Sequence, residues 1–309
     1  MKIVILNSRE RFRDEDLKRL DEYNAVFYQE KNNKLEDIKE LSGSEDIVLA
    51  VQPSYIDGVW KGLPLEKIKK FKRIKAICLS TTAFGWVPFE ELRKMGVTVT
   101  NVPGKSTDAV TEYYVFMMIG LLRKLPLIFK NKWEFEYDKD SMGTDAKGLN
   151  VGIIGLGKIG SRIADLCSGL GMKISYWNRS KKNASYKFKN LEELFKTSDA
   201  VFFAITSDKH TKGLITNKLI DSMKKTAIIL SPIDEGPYDK KYILDKLSKN
   251  ELGGFGFESR KGAINDFNGN VFPAPEVGYY TKQTLDNESK ILTDSIISIV
   301  KGKPINEVN

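Results

Sequence analysis

The chain has 309 residues, of which 41% are hydrophobic and 29% are charged, values typical of a globular protein with room for two domains. No segment reaches the roughly 18 apolar residues of a membrane span, and the N-terminal residues MKIVILN are typical of a first strand rather than a secretory leader, so we expect a cytoplasmic protein. The net charge is +8, but the lysines are interleaved with Asp and Glu, which indicates a solvated surface that favours anionic ligands rather than a nucleic-acid partner.

Residues 1–102 alternate between strand-like and helix-like patterns. The predicted strands are 2–6, 25–29, 47–51, 74–79 and 97–102, and amphipathic runs lie at 17–23 and 35–41. This alternation predicts a small doubly wound α/β domain that ends at the turn 101–104. The mostly apolar run 108–125 follows, and it predicts a buried helix in dense tertiary or dimer contact.

The segment VGIIGLGKIG, residues 151–160, combines a buried strand, a glycine turn and the start of an amphipathic helix. Gly155 suits a tight turn, Gly157 lets the backbone approach a pyrophosphate, and Gly160 lets the helix pack close to the strand. The phosphates would meet the free N–H groups of the helix N-terminus. The turn therefore predicts a dinucleotide site with these candidate contacts: Gly155, Leu156, Gly157, Lys158, Ile159 and Gly160.

The end of the next predicted strand, 173–177, decides which dinucleotide is favoured. An NAD site usually carries Asp or Glu here to accept hydrogen bonds from the ribose, whereas this chain has Asn178, Arg179 and Ser180. Asn178 removes the repulsion that a carboxylate exerts on a 2′-phosphate, and Arg179 is suited to stack on adenine or grip the phosphate. We therefore expect NADP(H) to be preferred, with NAD(H) as the alternative.

The rest of the chain continues the α/β alternation. Strands are predicted at 200–205, 226–230, 253–257 and 271–272, with helices at 191–195, 217–223 and 239–247 and a long last helix at 283–300 that reaches back to the first domain. Ligands of open α/β sheets lie beyond the carboxyl ends of the strands. Thr206, Ser231 and Pro232 stand at such ends and are candidate cofactor contacts.

Several motifs, in order from about Arg73 to the last helix, resemble those of the D-isomer-specific 2-hydroxyacid dehydrogenases. NVPG at 101–104 with DAVTE at 108–112 resembles the family's linker and following helix, and GLNVGIIG at 148–155 resembles its approach to the glycine turn. TKGLI at 211–215 and the segment 270–278 resemble two further loops of the family.

The resemblance implies a flavodoxin-like outer domain, residues 1–102 and 282–309, and a Rossmann dinucleotide-binding domain, residues 103–281. It also implies an active cleft between them, a small-molecule substrate and a homodimer. Thr81 and Thr82 occupy the place of the family's substrate-binding loop, and Glu258 stands in for an Asp that the family carries on a strand near the cofactor.

The chain departs from the family at its three catalytic positions. Asp234 replaces the arginine that holds the substrate carboxylate, Ala263-Ile264 replaces Glu-Pro, and Pro275-Glu276 replaces Pro-His. One like charge about 4 Å away costs about 1 kcal/mol in water and about 4 at an effective dielectric near 20, which is roughly a five- to thousand-fold loss in the binding of an anionic 2-keto acid.

Two interpretations of the acidic replacements follow. If Asp234 and Glu276 face one another, one of them holds a proton, and a protonated Glu276 is then a general acid for reduction of a neutral or cationic carbonyl or imine. Alternatively, both are solvated loop residues, and the chain is a catalytically silent NADP(H)-binding sensor or interaction protein. Association with nucleic acid, as in corepressor relatives, has only the net charge in its favour.

The remaining reactive side chains are few. His210 lies in the polar loop 206–211 and is interpreted as a loop residue rather than a catalyst. Cys78 and Cys167 lie in apolar runs without a CxxC or a His at ligand spacing, so we expect buried reduced thiols and no metal site.

Overall fold

The computed structural model describes residues 1–59, 62–137, 141–233, 236–260 and 262–308. The chain divides into two compact units, one formed by Met1–Ser106 with Thr281–Asn309 and the other by Thr107–Tyr280. The first boundary lies four residues after the one proposed from sequence (106 against 102), and the second lies one residue before it (280 against 281).

The first unit is built on a five-stranded parallel sheet with the strand order β2-β1-β3-β4-β5. Its strands and its first helices, in chain order, are β1 Lys2–Leu6, α1 Asp14–Asp21, β2 Val26–Tyr28, β3 Ile47–Val51, α2 Leu65–Ile68, β4 Ile74–Leu79, α3 Phe89–Lys94 and β5 Thr98–Thr100. Strand β3 is buried along its whole length, as expected for a parallel strand covered on both faces. The order is that of a flavodoxin-like sheet, as predicted.

The second unit contains a seven-stranded parallel sheet with the order β12-β11-β10-β9-β6-β7-β8. Its elements are α4 Thr107–Leu122, α5 Leu125–Lys130, β6 Asn150–Ile154, α6 Lys158–Gly169, β7 Lys173–Trp177, β8 Lys187–Phe188, α7 Leu191–Thr197, β9 Ala200–Phe203, α8 Asn217–Asp221, β10 Ile228–Ser231, α9 Lys240–Ser248, β11 Gly254–Glu258 and β12 Val271–Ala274. Counted from β6, the order is 3-2-1-4-5-6 with a seventh strand added, which confirms the predicted Rossmann topology.

The last helix, α10 Lys282–Val300, belongs to the first unit and packs on β3 and β4. Leu292, Ile296 and Ile299 on this helix join the core on one face of the first sheet. The sequence predicts that this helix returns to the first domain, and the contacts described here lie within the first unit.

Two helix predictions were wrong in detail. Residues 35–41 form two short 3₁₀ turns, Leu35–Asp37 and Lys39–Ser42, because so short an amphipathic run does not sustain an α-helix by itself. The helix predicted over 108–125 ends at Leu122, and a new helix starts at Leu125. Pro126 explains the break, because inside a continuous helix its ring would clash with the carbonyl group of Leu122.

Candidate functional site

The glycine turn joins β6 to α6, and its three glycines meet different surroundings. Gly155 has a φ of +96°, and a Cβ there would lie 2.5 Å from the carbonyl oxygen of Ala204. A Cβ on Gly160 would lie 1.9 Å from the carbonyl oxygen of Gly155, so only glycine allows the helix to approach the turn this closely. A Cβ on Gly157 would meet no atom within 4 Å, which leaves open space beside this backbone.

Helix α6 begins with exposed, uncapped backbone. Its N-cap residue is Gly157, so no side chain accepts from the first N–H groups, and the first turn carries no acidic residue. The first N–H groups of an α-helix have no intrahelical acceptor and form a ready anion site. Lys158, the first helical residue, is exposed and adds a positive charge.

Asn178 connects the glycine turn to the loop that follows β7. Its Oδ1 accepts from the Leu156 N–H at 3.3 Å, and its Nδ2 donates to the Ser180 carbonyl oxygen at 3.1 Å. Sequence reasoning treated Asn178 as a position that lacks a carboxylate, and the structure adds a bridging role that no local pattern indicates. Arg179 and Ser180 are exposed beside this bridge.

The side chains at the ends of β9 and β10 donate to protein acceptors. The Thr206 hydroxyl donates to Asp208 Oδ2 at 2.8 Å, and the Ser231 hydroxyl donates to the Ile233 carbonyl oxygen at 3.1 Å. The Thr206 hydroxyl, with the His210 and Thr211 N–H groups, holds the pKa of Asp208 below its ordinary value.

His210 itself is exposed, and its backbone N–H donates to Asp208, so the structure gives it a loop position. Pro232 is half-buried next to Ser231.

Glu258, the last residue of β11, fixes the turn that follows β12. Its Oε1 accepts from the Gly278 N–H at 2.8 Å, and a Cβ on Gly278 would lie only 2.6 Å from that oxygen. Tyr113 on α4 donates from its hydroxyl to the Pro275 carbonyl oxygen at 3.0 Å, and burial together with the Glu258 charge raises the pKa of Tyr113. The turn that carries Glu276 is thus held by both β11 and α4.

Glu276 has a cationic partner, Arg260, which follows β11. Arg260 Nε donates to Glu276 Oε2 at 2.7 Å, with the two side chains 73% and 36% exposed. The sequence indicated an acidic neighbour for Glu276 and gave no reason to aim Arg260 at it. The structure therefore adds a cation beside the acidic position that the sequence indicated. Asp234 lies outside the described residues.

Thr81 and Thr82 follow β4 in the first unit, and backbone acceptors already engage both hydroxyls. Thr81 donates to the Ala83 carbonyl oxygen at 2.7 Å, and Thr82 donates to the Val102 carbonyl oxygen at 2.7 Å. The Asn101 side chain donates to the Thr82 carbonyl oxygen at 2.8 Å. The contacts of Thr82 fasten the loop to residues 101 and 102.

No described helix has the length and apolar character needed to cross a membrane. Within the same residues, no group of three or more His, Cys, Asp or Glu side chains is arranged to hold a metal ion.

Fold and turn geometry define an α/β protein with a Rossmann-type pyridine-nucleotide-binding unit. Residues 115–261 match the sequence model of the D-isomer specific 2-hydroxyacid dehydrogenase, NAD binding domain. This match and the named relatives support the family that the motifs predicted, the D-isomer-specific 2-hydroxyacid dehydrogenases.

Relatives of known name are reductases and dehydrogenases. Glyoxylate reductase of Thermococcus kodakarensis is 26% identical over 249 residues, 75% of each chain. D-lactate dehydrogenase of Treponema pallidum is 25% identical over 256 residues, 75% of this chain and 77% of that protein. A solved acyclic imino acid reductase, Bsp5, in complex with NADPH and D-Arg, superposes with a TM-score of 0.84 at 22% identity over 100% of both chains. The expected oxidoreductase class agrees with these relatives.

Proposed function

We propose that the protein is an NADP(H)-dependent oxidoreductase that reduces a carbonyl or imine group of a small molecule. The observation that carries the proposal is the glycine turn of the second unit, in which Gly157 leaves the start of α6 open while Gly155 and Gly160 close the backbone behind it. The proposed dinucleotide contacts are residues 155–160 together with Asn178, Arg179, Ser180, Thr206, Ser231, Pro232 and Glu258.

NADP(H) is the proposed cofactor because the loop after β7 carries no acid. Asn178 holds the glycine turn through Leu156, and the exposed Arg179 and Ser180 next to it offer a guanidinium and a hydroxyl group to a 2′-phosphate. Lys181 and Lys182 are also exposed and add to the positive field. A carboxylate at Asn178 would repel the same phosphate.

The Arg260–Glu276 pair favours an imine over a ketone. A bound nicotinamide supplies the hydride, so the residues of the chain have to manage charge and protons. A ketone needs a proton on its oxygen as the hydride arrives, whereas the Glu276 carboxylate is engaged by Arg260 at 2.7 Å. An iminium group already carries its proton, so hydride addition turns it into a neutral amine with no further proton needed. The Glu276 carboxylate would stabilise the iminium cation before the hydride arrives, which favours the protonated form of the imine.

The pair also has room for an anionic substituent. The Arg260 guanidinium can bind a carboxylate while Glu276 faces a cationic nitrogen, which suits an imino acid. The solved imino acid reductase with NADPH shares the fold of this chain, and at 22% identity it supports the proposal by fold alone. On sequence grounds, Asp234 remains a proposed catalytic residue, and Thr81 and Thr82 remain proposed substrate contacts.

The test begins with calorimetric titration of the purified protein with NADPH and NADH. NADPH is expected to bind more tightly, and Asn178→Asp is expected to weaken NADPH about 5- to 1000-fold while it spares NADH. NADPH oxidation is then measured against 2-keto acids with and without ammonia, aldehydes, ketones and cyclic imines. Equal or tighter binding of NADH would contradict the assigned preference, and turnover of keto acids without ammonia would contradict the imine assignment.

Glu276→Gln tests the catalytic carboxylate. It is expected to lower kcat/KM for an imine by about 100-fold while NADPH binding is unchanged, because it removes a negative charge that favours the protonated iminium form of the substrate. Glu251→Gln is the matched control, since Glu251 is also partly exposed and pairs with Lys246 at 3.0 Å. Asp234→Asn measures the contribution of the second acid in the same assay.

A second candidate is a catalytically silent NADP(H)-binding protein. The Ser231 hydroxyl and the Glu276 carboxylate both contact other groups of the protein, and this favours the silent protein, because neither group then needs a ligand as its partner. Tight NADPH binding with no turnover across the panel would support this candidate and reject the enzyme.

We also propose a homodimer that uses α4. This helix is apolar around its whole circumference, a property of helices buried on all sides. One face packs on the second sheet through residues such as Tyr114 and Met117, yet Phe116 is 53% exposed and Ile119 is 38% exposed. A second copy of the chain is the occupant that would cover them.

A further inference from the structure

A buried cluster of charges lies beside the loop that carries Thr81 and Thr82. The Lys105 side chain is 9% exposed and the Glu288 side chain is 3% exposed, and Lys105 Nζ donates to Glu288 Oε2. Lys105 Nζ also donates to the Ser80 carbonyl oxygen at 2.7 Å, and Arg11 reaches Glu288 Oε1 at 3.3 Å. None of these residues was singled out from the sequence.

The cluster ties three separate segments of the first unit together. Lys105 lies in the linker that follows β5, Glu288 lies on α10, and Ser80 is the residue between β4 and Thr81. Asn287, next to Glu288, donates from Nδ2 to the Lys105 carbonyl oxygen at 3.2 Å. The linker and the Thr81–Thr82 loop are thereby held to the same helix.

Burial of these charges is costly, and stability alone does not explain it. Burial lowers the pKa of Lys105, and the neighbouring Glu288 opposes this shift. Replacing a buried ion pair by apolar side chains of similar volume is often neutral or stabilising, so such a pair is weak evidence for stability. The pair instead fixes the position of the Ser80 carbonyl group, to which the Lys105 ammonium donates.

We propose that Lys105 is a positioning residue for substrate binding, acting through the Ser80 carbonyl group to orient the peptide groups of Thr81 and Thr82. Glu288 and Arg11 hold the Lys105 ammonium in place for this role. The inference rests on the proposed function, which assigns Thr81 and Thr82 to the substrate. It concerns contacts within the first unit only, so it is independent of how the dinucleotide is bound in the second.

Three variants test the proposal. Lys105→Met removes the ammonium and keeps the length of the side chain, but it leaves the buried Glu288 carboxylate with Arg11 as its remaining ion-pair partner, so it is expected to lower the melting temperature. The double variant Lys105→Met with Glu288→Met removes both charges of the buried pair, and because the remaining Arg11 side chain is 22% exposed to water, the variant is expected to recover the lost stability. Lys290→Met is the matched control, because Lys290 also lies on α10 and pairs with Asp294 at 2.7 Å on the exposed face.

The decisive measurement is the KM of the double variant. With the imine turned over by the wild type, its KM is expected to rise about 10- to 100-fold, because small misplacement of a binding group has effects of this size. Its NADPH affinity is expected to match that of the wild type. A double variant that recovers both stability and wild-type KM would overturn the proposal, since the pair would then be purely structural.

Hydrogen–deuterium exchange tests the positioning role of Lys105 without a substrate. Peptides that cover residues 80–84 are expected to exchange about tenfold faster in the double variant and unchanged in Lys290→Met, because the Ser80 anchor is lost. Wild-type exchange in the double variant would reject the positioning role. Absence of turnover by the wild-type protein would instead count against the proposed function, and the exchange result would still decide the role of Lys105.

Discussion

Gly157 and Gly160 lie three residues apart, and the structure predicts that alanine has different effects at the two positions. Alanine at Gly160 is expected to lower stability, and alanine at Gly157 is expected to weaken dinucleotide binding. A methyl group on Gly160 would lie 1.9 Å from the Gly155 carbonyl oxygen, whereas ordinary contact begins near 3.4 Å. Helix and turn would have to separate by about 1.5 Å (3.4 minus 1.9). Overpacking of this kind costs about 1 to 3 kcal/mol or more. For a unit of this size that corresponds to a fall in Tm of about 2 to 12 °C.

Gly157→Ala is expected to leave the protein folded and to weaken dinucleotide binding. Its φ of −87° and ψ of −161° are accessible to alanine, and no atom lies within 4 Å of the added methyl group. The loss of a favourable N-cap residue and the gain in backbone rigidity are each about 1 kcal/mol or less and oppose one another. The methyl group instead occupies the space through which a phosphate reaches the first N–H groups of α6. Loss of one charge-assisted hydrogen bond is worth about 1.5 to 3 kcal/mol, or about 10- to 100-fold in Kd.

The assay is thermal unfolding of each variant, followed by calorimetric titration with NADPH. Gly169→Ala, at the far end of α6, is the control, because a Cβ there also meets no atom within 4 Å. Wild-type NADPH affinity in Gly157→Ala would refute the assignment of this turn to the pyrophosphate. An unchanged Tm in Gly160→Ala would refute the packing argument.

Three further predictions concern the thiols, acid stability and assembly. Burial raises the pKa of both Cys78 and Cys167 to about 12, so a thiol reagent at pH 8 is expected to label neither until the protein unfolds, and rapid labelling of the native protein would contradict their burial. Desolvation opposes ionisation of Asp199, but hydrogen bonds from Asn150 and the Lys224 ammonium outweigh it and hold its pKa below the ordinary 3.8. Its contribution to stability is therefore present above about pH 4 and is lost as the pH falls through the lower folded pKa, and Asp199→Asn is expected to flatten acid unfolding in this range. Phe116→Lys is expected to convert a dimer to a monomer in light-scattering chromatography, and a monomeric wild type would remove the dimer proposal.

The sheets were predictable because their signals are local. Parallel strands covered on both faces are continuous apolar runs, and the run 47–51 coincides with β3. The glycine turn was equally predictable, because the spacing of its glycines is a local feature of the sequence. Errors arose where a break depends on one residue: Pro126 ends α4 at Leu122, a boundary that apolar character alone does not mark.

The site contacts were not predictable, because they join residues that only the fold brings together. Asn178 meets Leu156 across 22 residues, and Lys105 meets Glu288 across 183 residues. Such pairs depend on strand register and helix placement, and no spacing in the chain encodes them. Asn178 was predicted as a cofactor contact only because it is not a carboxylate, and no sequence pattern indicated a role for Lys105.

The pairing of Arg260 with Glu276 changes the chemistry that the acidic replacements imply. The two residues are 16 positions apart, and they meet because β11 and β12 are neighbouring parallel strands whose carboxyl ends lie at the same edge of the sheet. With Glu276 alone, an anionic substrate meets only repulsion, and catalysis needs a protonated acid. With Arg260 beside it, the pair is neutral overall and presents a cation and an anion side by side. A substrate that carries a carboxylate and a protonated imine complements both charges and brings its own proton, so the loss of the family's histidine removes no group that its reduction requires.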